Sequence, residues 1–268
     1  MKKNILIIIS VILFISCEKE IDINLNKSNP RFVIEGNISN MAGECYVKIT
    51  KTINFDEVIP NPSVSGAFVT ITNNTTNQTD TLNETISGLY INNSLTGIEG
   101  HKYTMNIIVN GETFIASSIM PKMVNLDSIQ QMESSSGGGH GGPMGGGISS
   151  NSIIRITPKY TDPENYANYF QFVVTRNDTL QNDVFIQSDF GFNGLVSDRP
   201  LRVKANKKDM VKVDMQCIDE AVYNYFFGLS ENINQSSATP ANPVSNISNN
   251  ALGYFKAHTT STKTIIIK

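Results

Sequence analysis

Histidine is scarce in this chain, with three residues in 268. A metal centre or catalytic triad built on imidazoles therefore has little to draw on. Cysteine is equally sparse, at Cys17, Cys45 and Cys217. Charge is thin at 17% of residues, and 21 basic against 24 acidic side chains leave nothing like a nucleic-acid-binding face. Common catalytic signatures are missing as well: no nucleophile elbow, no phosphate-cradling glycine loop followed by lysine, no paired histidines at ligand spacing. Only one apolar run stands out, Ile5–Ile15, and it is shorter than the roughly 20 residues a membrane-crossing helix needs. The composition, 40% hydrophobic, is that of a globular protein.

What is present begins at the N-terminus. Lys2 and Lys3 precede the apolar run, and Ser16-Cys17 follow it. A basic start, an apolar core and a small residue at a cut site describe an export signal. Because a cysteine directly follows the expected cut, the segment resembles a bacterial lipoprotein signal. Residues 1–16 are then expected to be removed and Cys17 lipidated, although Phe14 stands where such signals prefer leucine. Acyl chains contribute about 0.8 kcal/mol per buried CH₂, so stable anchoring takes more than one chain, palmitate among them. Glu18-Lys19-Glu20 resembles the tag that sends lipoproteins to the outer face of an outer membrane, and residues 17–27 read as a tether. The expected location is the outer membrane, lipid-anchored and surface-exposed, with its periplasmic face as the alternative.

From residue 28 to 120 hydrophobicity alternates with a period of two, and turn residues are closely spaced. About seven strands in such a length predict a β-sandwich of the immunoglobulin or transthyretin kind. Asn110-Gly111 is a strong hairpin signal within it, and Pro121 closes it because proline cannot donate to a ladder. Residues 121–268 predict a second antiparallel β domain with a glycine-rich loop at 134–147, read as a hairpin tip. One amphipathic helix is expected at about 218–232, where Ile218, Val222, Tyr225, Phe226 and Leu229 form a stripe suited to packing on a sheet. Two closing strands, 251–258 and 262–268, complete the domain. Cys45 and Cys217 each fall on the apolar side of an alternating run, in different domains. They read as reduced core residues, with a disulfide as the alternative for an exported chain.

Candidate chemistry is limited. His101 and His258 read as surface rim residues. His140 and Met144, four apart on the glycine loop, supply an imidazole and a thioether of the kind copper accepts; otherwise the loop is solvated or docks onto a partner. No catalytic residue, other metal ligand or cofactor is assigned. Asp80-Thr81-Leu82, Asp127-Ser128-Ile129 and Asp178-Thr179-Leu180 resemble acceptors for bacterial O-glycosylation at Thr81, Ser128 and Thr179. Glycoside chemistry would need two carboxylates facing one cleft. The sequence leaves open whether Asp162, Glu164, Asp189 or Asp198 converge or are solvated turn acids.

Several phrases occur in one order: 17–22 (CEKEID), 32–36 (FVIEG), 121–129 (PKMVNLDSI), 162–166 (DPENY), 242–247 (NPVSNI) and 251–255 (ALGYF). In this the chain resembles the family called domain of unknown function 4249, lipoproteins of the Bacteroidota. The resemblance implies an outer-membrane lipoprotein, often encoded beside TonB-dependent receptors, with no established activity and no catalytic residues to carry over. The expected function is that of a non-enzymatic accessory to a TonB-dependent β-barrel receptor, capturing ligand or gating the barrel. Its partners would be that receptor and, through the Cys17 acyl chains, the lipid bilayer. A surface structural or adhesion protein is the alternative. Copper handling through His140 and Met144 and a glycan-active enzyme are lesser ones.

Overall fold

A computed structural model describes residues 30–53, 60–132, 153–233 and 242–268. Cys17, the Glu18-Lys19-Glu20 tag, and the glycine-rich loop with His140 and Met144 lie outside these residues. The described chain is mostly β, with fifteen strands and one helix.

The first sandwich is built from β1 (Phe32–Ser39), β2 (Tyr46–Lys51), β3 (Phe68–Asn73), β4 (Gln78–Ile86), β5 (Leu89–Ile91), β6 (Lys102–Val109) and β7 (Glu112–Ile119). Strand order β1-β2-β5-β4-β3-β6-β7 shows one ribbon folded over on itself. The fold lies in β4, which pairs with β3 up to Leu82 and with β5 from Asn83 on, the β5 pairing shifting register between Glu84 and Ile86. Alternation sends Ile34, Val47, Ile49, Val69, Ile71, Met105 and Ile107 into a shared core. Asn110 and Gly111 take positive φ of 52° and 80° and close the β6–β7 hairpin, as their chemistry requires.

The second sandwich packs β10 (Tyr169–Arg176), β11 (Thr179–Leu180), β12 (Phe185–Ser188) and β14 (Met210–Ile218) against a small sheet. That sheet contains β8 (Ser128–Gln131), β9 (Ile153–Lys159) and β13 (Leu201–Lys204). β8 and β9 pair antiparallel, so the glycine-rich stretch does connect two neighbouring strands. Phe170, Phe172, Val211, Val213 and Met215 meet Ile156, Leu201 and Val203 in its core. The helix α1 (Glu220–Ile233) buries Val222 and Phe226 beside Tyr169, Ile186 and Tyr254, so the aromatic stripe is core packing. It starts after residue 218 because Ile218 still pairs with Tyr169 in β14. Asp219 is its N-cap: Oδ1 accepts from the Val222 N–H at 2.9 Å, while Oδ2 accepts from Ser118 Oγ (2.5 Å) and the Ile119 N–H (3.0 Å).

The tail differs from the expected pair of closing strands. It is one strand, β15 (Leu252–Ile266). Thr259-Thr260-Ser261 supplies no turn chemistry, and β-branched residues favour continued extension. Its first half runs parallel to β1, from Val33↔Leu252 to Ser39↔His258. Its second half runs antiparallel to β14, from Cys217↔Thr259 to Met210↔Ile266. One strand therefore belongs to both sandwiches, and the region 121–268 is not closed on itself. Both expected core cysteines are free and buried, Cys45 in the first core and Cys217 in the second.

Candidate ligand-binding cleft

β15 is paired with β1 along its first half and with β14 along its second, and its first half is covered on both faces. Phe255 and Ala257 point into the first core. By the period of two, Tyr254, Lys256 and His258 share the opposite face, which the second sandwich and α1 cover. Lys256 is 5% exposed and His258 is 1% exposed. The expectation that His258 is a rim residue is thus overturned, because the parallel pairing with β1 and the antiparallel pairing with β14 enclose it. His101 does sit at the surface, half-buried beside Asn73.

The Lys256 ammonium donates to Gln171 Oε1 (2.9 Å) and Gln216 Oε1 (2.6 Å). The register sets those two amides opposite each other on β10 and β14. The rings of Phe226 and Tyr254 lie 5.6 and 5.8 Å from the same nitrogen, a distance at which their faces attract a cation. Among the described residues no carboxylate forms an ion pair with it. Burial lowers the amine from 10.5 to about 7, with the Glu44 charge opposing. Beside it His258 Nε2 donates to Asn37 Oδ1 (3.0 Å), and Nδ1 accepts from the Thr260 hydroxyl (3.0 Å). Asn37 is itself oriented by donating Nδ2–H to the Glu44 carbonyl at 2.7 Å. This network holds one neutral tautomer. Burial first, and the Lys256 charge second, push its imidazole well below the ordinary range.

These groups form the floor of a cleft of about 560 Å³ where the two sandwiches meet. Gly43, Glu44 and Tyr46 wall it from the first sandwich, and the 180–184 segment with Phe226 from the second. That size lies within the range of small-molecule sites, and aromatic walls with a few convergent polar groups are their usual lining. Chemically, a protonated Lys256 keeps one N–H beyond its two glutamine bonds for an acceptor on a ligand. A neutral Lys256 offers a lone pair instead.

Thr81, Ser128 and Thr179 are all exposed, on β4, β8 and β11. Among the four acids, Asp162 and Asp189 line one small cavity away from this cleft, Glu164 lies over Gly194, and Asp198 is exposed. At about 10 Å³ that cavity has no room for a sugar ring. Lys256 was missed by the sequence reading. The available signal was the alternation of Tyr254, Lys256 and His258 against Phe255 and Ala257, but an alternating strand is ordinarily wet on its polar face.

Fold and cleft together define a two-sandwich β protein with a cationic pocket at the junction of its sheets. The chain belongs to the family described as domain of unknown function (DUF4249), which matches residues 18–264. Among solved structures, a segment of two fibronectin type III domains from chicken tenascin is similar at 10% identity. That likeness covers 71% of this chain and 91% of that chain, with a TM-score of 0.23. No curated protein matches.

Proposed function

We propose that this is a lipid-anchored, non-enzymatic accessory protein of a bacterial outer membrane. It captures a small carboxylate-bearing ligand in the Lys256 cleft for a TonB-dependent β-barrel receptor. The observation that carries the capture reading is the buried Lys256, an amine that forms no ion pair among the described residues, at the floor of a cleft of ligand size whose wall carries Glu44. Burying an unpaired charge is costly unless something else pairs it. A carboxylate arriving in the cleft would supply that charge, while Tyr46, Phe226 and Tyr254 supply apolar contact. The anchor and receptor rest on the N-terminal signal, with Cys17 as the acylated residue, and on the resemblance described above.

Affinity purification of the full chain from detergent-solubilised membranes, followed by mass spectrometry, tests both halves. The expected result is a co-purifying β-barrel receptor and a bound carboxylate that Lys256→Met loses. Recovery of the acylated chain with neither overturns the proposal. Retention of the receptor with no ligand in wild type leaves gating as the function and removes capture.

A further inference from the structure

The Lys256 cleft presents one kind of polar group at its floor and another at its walls. An ammonium only donates, so both atoms it contacts are carbonyl oxygens, and the amide nitrogens of Gln171 and Gln216 remain as donors. Among the described residues neither nitrogen has a hydrogen-bond partner, and neither is sealed from the cleft that both residues line. The other polar groups of the floor are engaged with one another. His258 uses both ring nitrogens, on Asn37 and Thr260, and Asn37 also donates to the Glu44 carbonyl. What the floor still presents is therefore donors alone, one ammonium N–H and two amide groups. The two oxygens of a carboxylate suit such a set.

The walls present acceptors. Glu44 and Asn182 are exposed and line the cleft, and among the described residues neither side chain forms a hydrogen bond or an ion pair. Lys256 feels the Glu44 charge without contacting it. Asp183, also on the wall, is held by Lys204 at 3.4 Å. A carboxylate only accepts, so Glu44 calls for hydroxyl donors on the body of a ligand. Both acids repel a second anionic group, which disfavours dicarboxylates and phosphates. Between floor and rim stand aromatic rings. Phe226 and Tyr254 lie 4.8 Å apart at 54°, and Tyr46 joins them in the lining. Ring faces are negative and attract the polarised C–H bonds of a sugar's apolar face. A plain hydrocarbon chain would satisfy the rings and leave Glu44 and Asn182 unanswered. At about 560 Å³ the cleft has room for a sugar ring.

We infer that the captured ligand is a singly charged sugar acid, a hexuronate, a reading that builds on the capture proposed above. Its carboxylate sits on Lys256, Gln171 and Gln216, and its hydroxyls face Glu44 and Asn182. Titration calorimetry of the full acylated chain in detergent tests this at pH 6, below the amine's value of about 7. Glucuronate and galacturonate are compared with glucose, hexanoate and glucarate. The better hexuronate should bind with a Kd of about 1 mM, as about a dozen heavy atoms allow. Glucose lacks the carboxylate, hexanoate lacks the hydroxyls, and glucarate adds a second charge. Each should bind about tenfold more weakly, the effect of losing one charge-assisted hydrogen bond. Glu44→Gln should weaken the hexuronate and leave hexanoate no weaker, and Lys256→Met should erase the preference for hexuronate over glucose. Hexanoate or glucarate binding as tightly as either hexuronate overturns the sugar-acid assignment and leaves carboxylate capture standing. So does a hexuronate affinity that Glu44→Gln does not change. Glucose matching the hexuronates, or no binding by any of the five, removes carboxylate capture as well. The wild-type series decides even if Lys256→Met fails to fold.

Discussion

Replacing Lys256 by methionine removes the amine and keeps most of the stem. The unfolded lysine has the ordinary value of 10.5 and the folded one about 7. Below pH 7 both states carry the proton, so the whole penalty of burying the charge weighs on the native protein. Between 7 and 10.5 the unfolded chain holds a proton that the native one has shed, and stability therefore rises with pH. The rise is about 1.4 kcal/mol per pH unit. From pH 6 to pH 10 wild type should gain about 4 kcal/mol relative to Lys256→Met. Other groups tilt both curves. The depressed His258 costs stability as pH falls below 6.5. Cys45, pushed by burial to about 12, costs stability as pH rises above the ordinary thiol value of 9. Cys45 contributes alike to both proteins, whereas His258 loses the Lys256 charge in the variant, so the gap above pH 7, where the imidazole is neutral in both, isolates Lys256. Leaving Gln171 and Gln216 without their donor costs about 1–3 kcal/mol each at every pH, which shifts the variant's curve without changing its slope. Urea unfolding at pH 6, 7, 8, 9 and 10 measures the gap. Parallel stability curves for the two proteins would refute the placement of an unpaired ammonium at the cleft floor.

The other predictions follow from particular contacts. Gly253 sits at φ of 102°, and a Cβ there would lie 1.9 Å from the Ile34 carbonyl oxygen. Gly253→Ala should therefore lower the urea midpoint by the equivalent of about 3 kcal/mol or more, and an unchanged midpoint would contradict the close β1–β15 approach. Asp219→Ala removes a helix cap that also holds β7, and should cost about 1–2 kcal/mol in chemical denaturation. Thiol titration of the folded, acylated chain should find Cys45 and Cys217 unreactive, with two equivalents appearing on unfolding. Fast native reaction would place either outside its core. Cys17→Ser should move the protein from the membrane fraction to the soluble one, with an intact mass lacking acyl chains.

Local chemistry was legible in the sequence and long-range pairing was not. Asn110-Gly111 states its own turn, since both residues tolerate the positive φ that this hairpin demands. Val222 and Phe226 reveal a buried helical stripe because periodicity is a property of neighbours in sequence. Cys45 and Cys217 were placed correctly by alternation alone. By contrast, nothing in Leu252–Ile266 says that one strand will join two sheets. That depends on where β1 and β14 lie. The same blindness hid Lys256 and His258, whose burial comes from partners distant in sequence, Gln171 and Gln216 for the one and Asn37 for the other. It also hid the cavity that Asp162 and Asp189 share, where the bridge between Thr161 and Val196 places Asp162 and Asn168 holds Asp189.

The shared strand has a consequence for assembly. β1 is made well before its parallel neighbour β15, from which most of the described chain separates it. Until then the N-terminal sheet keeps an open edge, a liability for mispairing with other chains. Contacts between opposite termini also make for slow folding. Maturation of both halves should thus wait on the docking of this one strand, and deletion of its first half, Leu252–His258, should leave the edge of β1 open.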